Sequence, residues 1–106
     1  MGRRYNNNMR KHRRRLSELV KTDEDFDYGF LHRIVVQKLR NMYEYYLDGD
    51  NVHIADTAIE KRLDTLRHAL SIAGRIEKIE EEGFPDKSLY KEFYTYIGEN
   101  ITLWWD

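Results

Sequence analysis

The side chains best suited to bind a charged ligand lie in the first fifteen positions of the sequence. Seven basic residues and no acidic residue occur there, whereas the other 91 residues hold 11 basic and 19 acidic residues. Such a cluster can neutralise the phosphates of a nucleic acid or bind an acidic protein surface. Alternatively, it binds the acidic body of its own chain or of a second copy. The predicted nucleic-acid or acidic-partner site consists of Arg3, Arg4, Arg10, Lys11, Arg13, Arg14 and Arg15.

A second set of candidate binding residues is aromatic. Tyrosines crowd two short segments, at 43–46 and 90–96, and two tryptophans stand just before the last residue. More tyrosines than one core can hold favour a protein interface, because each combines an apolar body with a polar tip. Base stacking is the less favoured alternative, because the C-terminal aromatics lie among acids. The predicted protein interface consists of Tyr45, Tyr90, Tyr94, Tyr96, Trp104 and Trp105.

One acidic pattern has the spacing of a calcium loop. Asp23, Asp25 and Asp27 alternate with other residues, but Tyr28 stands where an EF-hand needs glycine and Ile34 stands where it needs glutamate. These acids also precede a predicted helix, where carboxylates cap backbone N–H groups and complement the helix dipole. We therefore predict helix capping rather than a calcium site.

A second pattern places three potential metal ligands on one helical face. Glu60, Asp64 and His68 are spaced four apart, but no Glu-x-x-His or H-E-x-x-H motif accompanies them. With Lys61 and Arg62 beside them, a solvated face is the better interpretation. The chain also has no cysteine, no glycine-rich phosphate loop and no G-x-S-x-G motif. We predict no catalytic residue, no metal, no cofactor and no enzymatic activity.

Composition indicates a folded chain, since 41% hydrophobic and 13% aromatic residues exceed what disordered proteins contain, despite 35% charged residues. The absence of cysteine fits an intracellular location. No apolar run has the length of a transmembrane helix, and the N-terminus lacks the apolar stretch of a signal peptide. We expect a cytoplasmic protein that does not enter membranes.

The elements that position these residues are predicted to be helices, because apolar residues recur at steps of three and four. The first eight residues lack this periodicity and are predicted to form a flexible lead-in. Gly83 and Pro85 mark a clear helix end, and Gly98 is predicted to mark another. Helices are predicted at residues 9–20, 26–47, 51–82 and 86–97.

The predicted fold is all-α. The two long helices form an antiparallel hairpin, which a short N-terminal helix and a C-terminal helix extend. Because the second long helix is the longer, its isoleucines 72, 76 and 79 need a cover, and the fourth helix and an aromatic tail at 103–105 are expected to fold back over them. We predict a basic arm at 1–15 and one helical domain at 16–106.

A resemblance to a known group of proteins rests on the first long helix and on the last three residues. The residues concerned are Asp27, Tyr28, Phe30, Leu31, Lys38, Leu39, Met42 and Tyr46, followed by a second amphipathic helix and a terminal Trp-Trp-Asp. This pattern, over residues 25–80 and the final tripeptide, resembles a widespread group of short helical proteins encoded by tailed bacteriophages. The resemblance implies a viral accessory protein made in an infected bacterium, and it carries no activity or functional residues with it.

Three functions follow as hypotheses. The leading hypothesis is a non-enzymatic phage protein that binds a bacterial host protein, and inhibits a host defence or nucleic-acid-processing system, in the cytoplasm of the infected cell. The second is a nucleic-acid-binding protein that uses the basic arm. The third is a sponge that sequesters an anionic signalling nucleotide between protomers. A homo-oligomer is compatible with each of them.

Overall fold

A computed structural model describes residues 3–21, 28–48 and 55–105, with side chains described from Met9 onward in the first range. Four helices and one short 3-10 turn account for most of these residues. No strand occurs in the three ranges, so the predicted all-α class is confirmed there. The elements are α1 (Arg3–Val20), α2 (Tyr28–Leu47), α3 (Asp56–Glu81), α4 (Lys87–Asn100) and the 3-10 turn (Ile101–Leu103).

The chain divides into two compact units, Met1–His53 and Ile54–Asp106. In the first unit α1 packs on α2, and in the second α3 packs on α4. The predicted hairpin of the two long helices would join α2 to α3 and therefore stays a prediction. The division into an arm at 1–15 and a domain at 16–106 also stays a prediction.

Helix α1 begins at Arg3 instead of near residue 9, so the expectation of a flexible lead-in is wrong for residues 3–8. No glycine or proline interrupts 3–20, and arginine has a high helix propensity, so a polar sequence continues the helix. The inward row consists of Met9, His12, Leu16 and Leu19, which are partly or fully buried at steps of three and four. Beyond this row, Val20 is exposed.

Helix α2 buries a narrower stripe than its apolar residues at steps of three and four predict, which are Tyr28, Leu31, Val35, Leu39, Met42 and Tyr46. Leu39 and Tyr46 are almost fully buried, but Tyr28 and Leu31 in the first turn are exposed. The stripe is also turned slightly, since Val36 is more buried than its neighbour at 35. The apolar residues near the start of α2 therefore belong to the surface of the described structure.

Helix α3 is continuous from Asp56 to Glu81, so Gly74 does not break it. Its most buried positions follow steps of four and three, the spacing of a helix that packs along one seam. These positions are Arg62, Leu66, Ala69, Ala73 and Ile76, with Ile72 beside them. The predicted stop is confirmed, because Gly83 has a φ of 134° and Pro85 follows it.

Helix α4 starts at a side-chain cap and runs back along α3. The Asp86 carboxylate accepts hydrogen bonds from the backbone N–H groups of Ser88 and Leu89, at 2.8 and 3.2 Å. The predicted end at Gly98 is wrong, because the helix continues to Asn100 without a left-handed residue. Cross-contacts show the antiparallel course, since they join Glu80 to Tyr90, Arg75 to Glu92 and His68 to Tyr96.

Several predictions concern residues outside the described ranges. These are the acids at 23–27, which are predicted to cap a helix rather than bind calcium, the start of α2 at 26 and the start of α3 at 51. Among the helices that are described, none combines the length and apolar character needed to cross a membrane.

Candidate interaction surfaces

The outward side of α1 carries a concentrated positive charge. Arg10, Lys11, Arg13 and Arg14 are all exposed, and at 100° per residue they span an arc of about 160° around the helix. We call these four residues the cationic face. Within the described ranges, no hydrogen bond or ion pair joins its three arginines to an acid. Four exposed positive charges are therefore held on one side of a helix.

The inward side of α1 neutralises its own charge. Glu44 of α2 accepts hydrogen bonds from Arg15 at 3.1 and 3.2 Å, and its Oε2 lies 3.0 Å from Nε2 of His12. His12 is only 8% exposed. Partial burial raises the pKa of Glu44, but hydrogen bonds from His12 and Arg15 and the charges of Arg15 and Lys11 outweigh this effect, so the pKa lies below its ordinary value.

The structure thus separates the predicted basic site into two groups. Four members form the cationic face, whereas Arg15 turns toward α2 and binds Glu44. Arg3 and Arg4 lie in the first turn of α1, where side chains are outside the description. Helix α2 adds further exposed cations to the same unit, namely Arg33, Lys38 and Arg40.

The aromatic tail of the second unit folds back onto α3. The indole N–H of Trp104 donates to Thr65 Oγ1 at 2.8 Å, and Arg62 Nε donates to the backbone carbonyl of Trp105 at 2.9 Å. The Arg62 guanidinium also lies 5.8 Å from the centroid of the Trp105 ring. These bonds place the tail beside the first half of α3, away from the isoleucines at 72–79 that it was expected to cover.

The predicted aromatic interface is only partly accessible. Trp104 is 8% exposed, whereas Trp105 is 64% exposed and Tyr94 is 39% exposed. Burial raises the pKa of Tyr94. Tyr45 and Tyr90 are half-buried. The Tyr90 hydroxyl donates to Glu80, and the Tyr45 ring makes a T-shaped contact with the neighbouring tyrosine ring, with centroids 5.4 Å apart. Trp105 and Tyr94 are therefore the members best placed to touch a partner.

Tyr96 lines an open groove between α3 and α4 with a volume of about 410 Å³. Its ring lies 4.4 Å from that of His68. Burial first, and then the negative charges of Asp64 and Glu99, raise the pKa of Tyr96. Lys91 is outnumbered in the groove by acids, so the charge balance does not favour an anionic nucleotide.

The face of α3 that carries Glu60, Asp64 and His68 is exposed to solvent, as predicted. All three residues are exposed, and Asp64 accepts a hydrogen bond from Arg67 at 2.9 Å. Across the described ranges, no three His, Asp or Glu side chains come together in a way that could hold a metal ion. Arg62, however, is 7% exposed, so its predicted place on the solvated face is wrong.

Sequence reasoning missed two residues that organise these surfaces. Arg62 was grouped with charged neighbours, although it lies four positions before Leu66 and so continues the buried seam of α3. Nothing in the sequence marked Glu44 as the partner of His12 and Arg15. The spacing could have revealed Arg62, but the Glu44 cluster depends on how two helices meet.

Comparison of the chain with protein-family models, with curated proteins and with solved structures gives no match.

Proposed function

We propose that this chain is a binding protein without catalytic activity, and that the cationic face of α1 binds an acidic surface of another protein. The observation that supports this proposal is the division of charge on α1. Glu44 neutralises the inward Arg15, while the arginines of the cationic face lack an acidic partner in the described ranges. Exposed charges that are spared from internal pairing are available for steering and binding a partner.

The aromatic residues extend this proposal to the second unit. Trp105 is anchored through its backbone carbonyl while most of its ring remains exposed. Tryptophan and tyrosine are enriched among residues that dominate binding energy, especially where the backbone is already held in place. Trp105 and Tyr94 are therefore the aromatic contact residues of the second unit in the proposal.

The phage resemblance supplies the proposed setting. In the cytoplasm of an infected bacterium, the partner is a host protein with an acidic surface, and occupation of that surface inhibits a defence or nucleic-acid-processing system. Inhibition by surface occupation needs no active site in the inhibitor, so it is compatible with a small helical chain.

The test is an affinity capture from host lysate with matched charge reversals. Tagged wild-type protein is compared with Arg10→Glu/Arg14→Glu, which reverses two residues of the cationic face. The control is Lys61→Glu/Lys87→Glu, which changes net charge equally at exposed positions of the second unit. We expect one dominant protein with the wild type and the control, and its loss with the α1 variant. Equal recovery with all three proteins would contradict the proposal.

Nucleic-acid binding is the second candidate, and the exposed cations that α2 adds to the first unit favour it. Arg33, Lys38 and Arg40 are three further exposed basic residues on the second helix of the same unit. Four phosphate contacts would make the logarithm of the affinity for duplex DNA fall with the logarithm of salt concentration with a slope of about −3.6. Fluorescence anisotropy with labelled duplex and single-stranded DNA and RNA measures this slope. Absence of binding at low salt rejects this candidate and leaves the protein-binding proposal in place.

A further inference from the structure

The turn between α3 and α4 surrounds one exposed phenylalanine with acids. Phe84 is 83% exposed, the highest value among the large apolar side chains of the described residues. Four exposed glutamates precede it, whereas the nearby cations are Lys78 and Lys87. We call Glu77, Glu80, Glu81, Glu82 and Phe84 the acidic tip.

Backbone and capping hydrogen bonds flank Phe84 on both sides of the acidic tip. The N–H groups of Glu82 and Gly83 donate to the carbonyls of Ile79 and Glu80, at 3.0 and 3.1 Å. Gly83 adopts the positive φ of a helix terminator, and Asp86 caps the first turn of α4. Because Phe84 lies between two capped helix ends, its presentation to a partner costs little ordering entropy.

Three of the four glutamates of the acidic tip form no side-chain bond within the described ranges. Glu80 accepts a hydrogen bond from Tyr90, but in the described ranges no ion pair or side-chain hydrogen bond involves Glu77, Glu81 or Glu82. An anionic nucleic acid or lipid surface is disfavoured at this negative site. A cationic helix is the complementary partner, and its arginines could also lie over the Phe84 ring.

The same chain supplies such a helix. The first unit contains 11 basic and 8 acidic residues, and the second contains 7 basic and 11 acidic residues. Both the cationic face and the acidic tip are exposed in one chain, so each remains available to another molecule. We infer that a second copy of this chain binds here, with the cationic face of one copy against the acidic tip of the other.

This inference rests on the proposed function, because it uses the same cationic face and makes self-association a competitor of the anionic partner. Two reciprocal contacts would close a two-fold dimer, whereas one-way contacts would continue into a chain of molecules. Either assembly depends on exposed charges, which salt screens over a distance of about 10 Å at 0.1 M. Self-association should therefore decrease steeply with salt.

Sedimentation velocity over a dilution series, at low and high salt, tests the inference. We expect the wild type to associate at low salt and to dissociate at high salt. Arg10→Glu/Arg14→Glu and Glu81→Lys/Glu82→Lys should each be monomeric, and an equimolar mixture of the two should associate again, because both contacts regain opposite charges. The charge-matched control is Glu60→Lys/Glu99→Lys, which alters exposed acids away from the tip and should associate like the wild type.

Phe84→Ser tests the apolar contact separately and should weaken association about tenfold, with unchanged circular dichroism because the side chain is exposed. A wild type that is monomeric at low salt and high concentration overturns the inference. A sedimentation coefficient that changes with salt but not with protein concentration also overturns the inference. It would mean that the basic arm binds its own chain.

The affinity capture separates this inference from the proposed function. Glu81→Lys/Glu82→Lys keeps the cationic face intact, so it should still recover the acidic partner from lysate even though it no longer self-associates. Recovery of a partner by a protein that never associates rejects only the self-association. Association without any recovered partner rejects only the proposed function.

Discussion

A charged cluster links the two helices of the first unit, whereas large buried apolar side chains dominate the second. Glu44 binds His12 and Arg15 between α1 and α2, and the carboxylate is 40% exposed. Among the described residues, three apolar side chains are buried in the first unit and seven in the second, where Leu66 and Phe93 are completely buried. Exposed ion pairs contribute little and are screened by salt, while each buried large apolar side chain contributes about 1.5 to 3 kcal/mol. The second unit should therefore be the more stable scaffold.

The two tryptophans allow this difference to be measured. Both lie in the second unit, at positions 104 and 105, so their fluorescence reports on that unit alone. Far-UV circular dichroism reports on the helices of both units. Separate unfolding midpoints for the two signals would sharpen the comparison, because two-state unfolding requires the signals to coincide.

The largest expected loss of stability follows truncation of the buried phenylalanine of α4. Phe93 has no exposed surface and makes a T-shaped contact with the Tyr94 ring, with centroids 4.9 Å apart. Phe93→Ala should lower the free energy of unfolding by about 3 to 5 kcal/mol, since it removes buried surface and leaves a cavity. Phe84→Ala is the matched control, because its exposed ring predicts a change within about 0.5 kcal/mol. Urea unfolding followed by tryptophan fluorescence measures both, and equal midpoints would contradict the burial of Phe93.

A smaller loss is expected when the anchor of the tail is removed. Arg62→Met keeps an apolar stem but loses the bonds to the Trp105 and Ala58 carbonyls, at 2.9 and 3.1 Å. The free energy of unfolding should fall by about 1 to 2 kcal/mol, because these hydrogen bonds are charge-assisted and partly buried. Acrylamide quenching should rise as Trp104 becomes more exposed. Lys61→Met, at the neighbouring exposed position, should change neither quantity.

The sequence predicted those parts of the second unit that depend on local chemistry. The stop at Gly83 and Pro85 follows from turn preferences, and the seam through Leu66 and Ile76 follows from helical periodicity. The fold-back of the tail was also expected. Its contact point was not, because both α4 and the tail were expected to cover the isoleucines of α3, whereas α4 lies along that part of α3 and the tail binds Arg62 and Thr65 instead.

What the sequence missed has two physical causes. Gly98 was predicted to end α4 because glycine favours helix ends. Glycine also adopts helical backbone angles, however, and α4 continues to Asn100. Arg62 and Glu44 are charged, so hydropathy assigned them to solvent. Their partners lie 43 residues away at the Trp105 carbonyl and 32 residues away at His12, and only the folded chain brings them together.

A gain of stability is expected at the interior glycine of α3. Gly74 is helical and exposed, and outside its own turn of helix no atom lies within 4 Å of the position that a methyl group would occupy. Gly74→Ala should raise the free energy of unfolding by about 0.5 to 1 kcal/mol, since alanine restricts the unfolded chain and suits a helix. Gly83→Ala is the opposite control, because its positive φ strains any side chain and predicts a loss. Thermal unfolding followed by tryptophan fluorescence compares the two, and a destabilised Gly74→Ala would mean that a contact requires the glycine.

The smallest expected effect follows from neutralising Glu44 in the charged cluster of the first unit. The pKa of Glu44 in the folded chain lies below its ordinary value of 4.5, because the bonds from His12 and Arg15 outweigh the effect of burial. The cluster therefore stabilises the fold above that value, and the contribution is lost as the pH falls through the lower pKa of the folded state. Glu44→Gln should remove this acid-dependent part, which is less than about 1 kcal/mol because the Glu44 carboxylate is 40% exposed and solvent screens its interactions. Circular dichroism between pH 6 and pH 2 should reveal the difference, while tryptophan fluorescence should not.

A shift of the fluorescence midpoint equal to that of circular dichroism would mean that the two units unfold together. The contrast between the units would then concern their contacts alone.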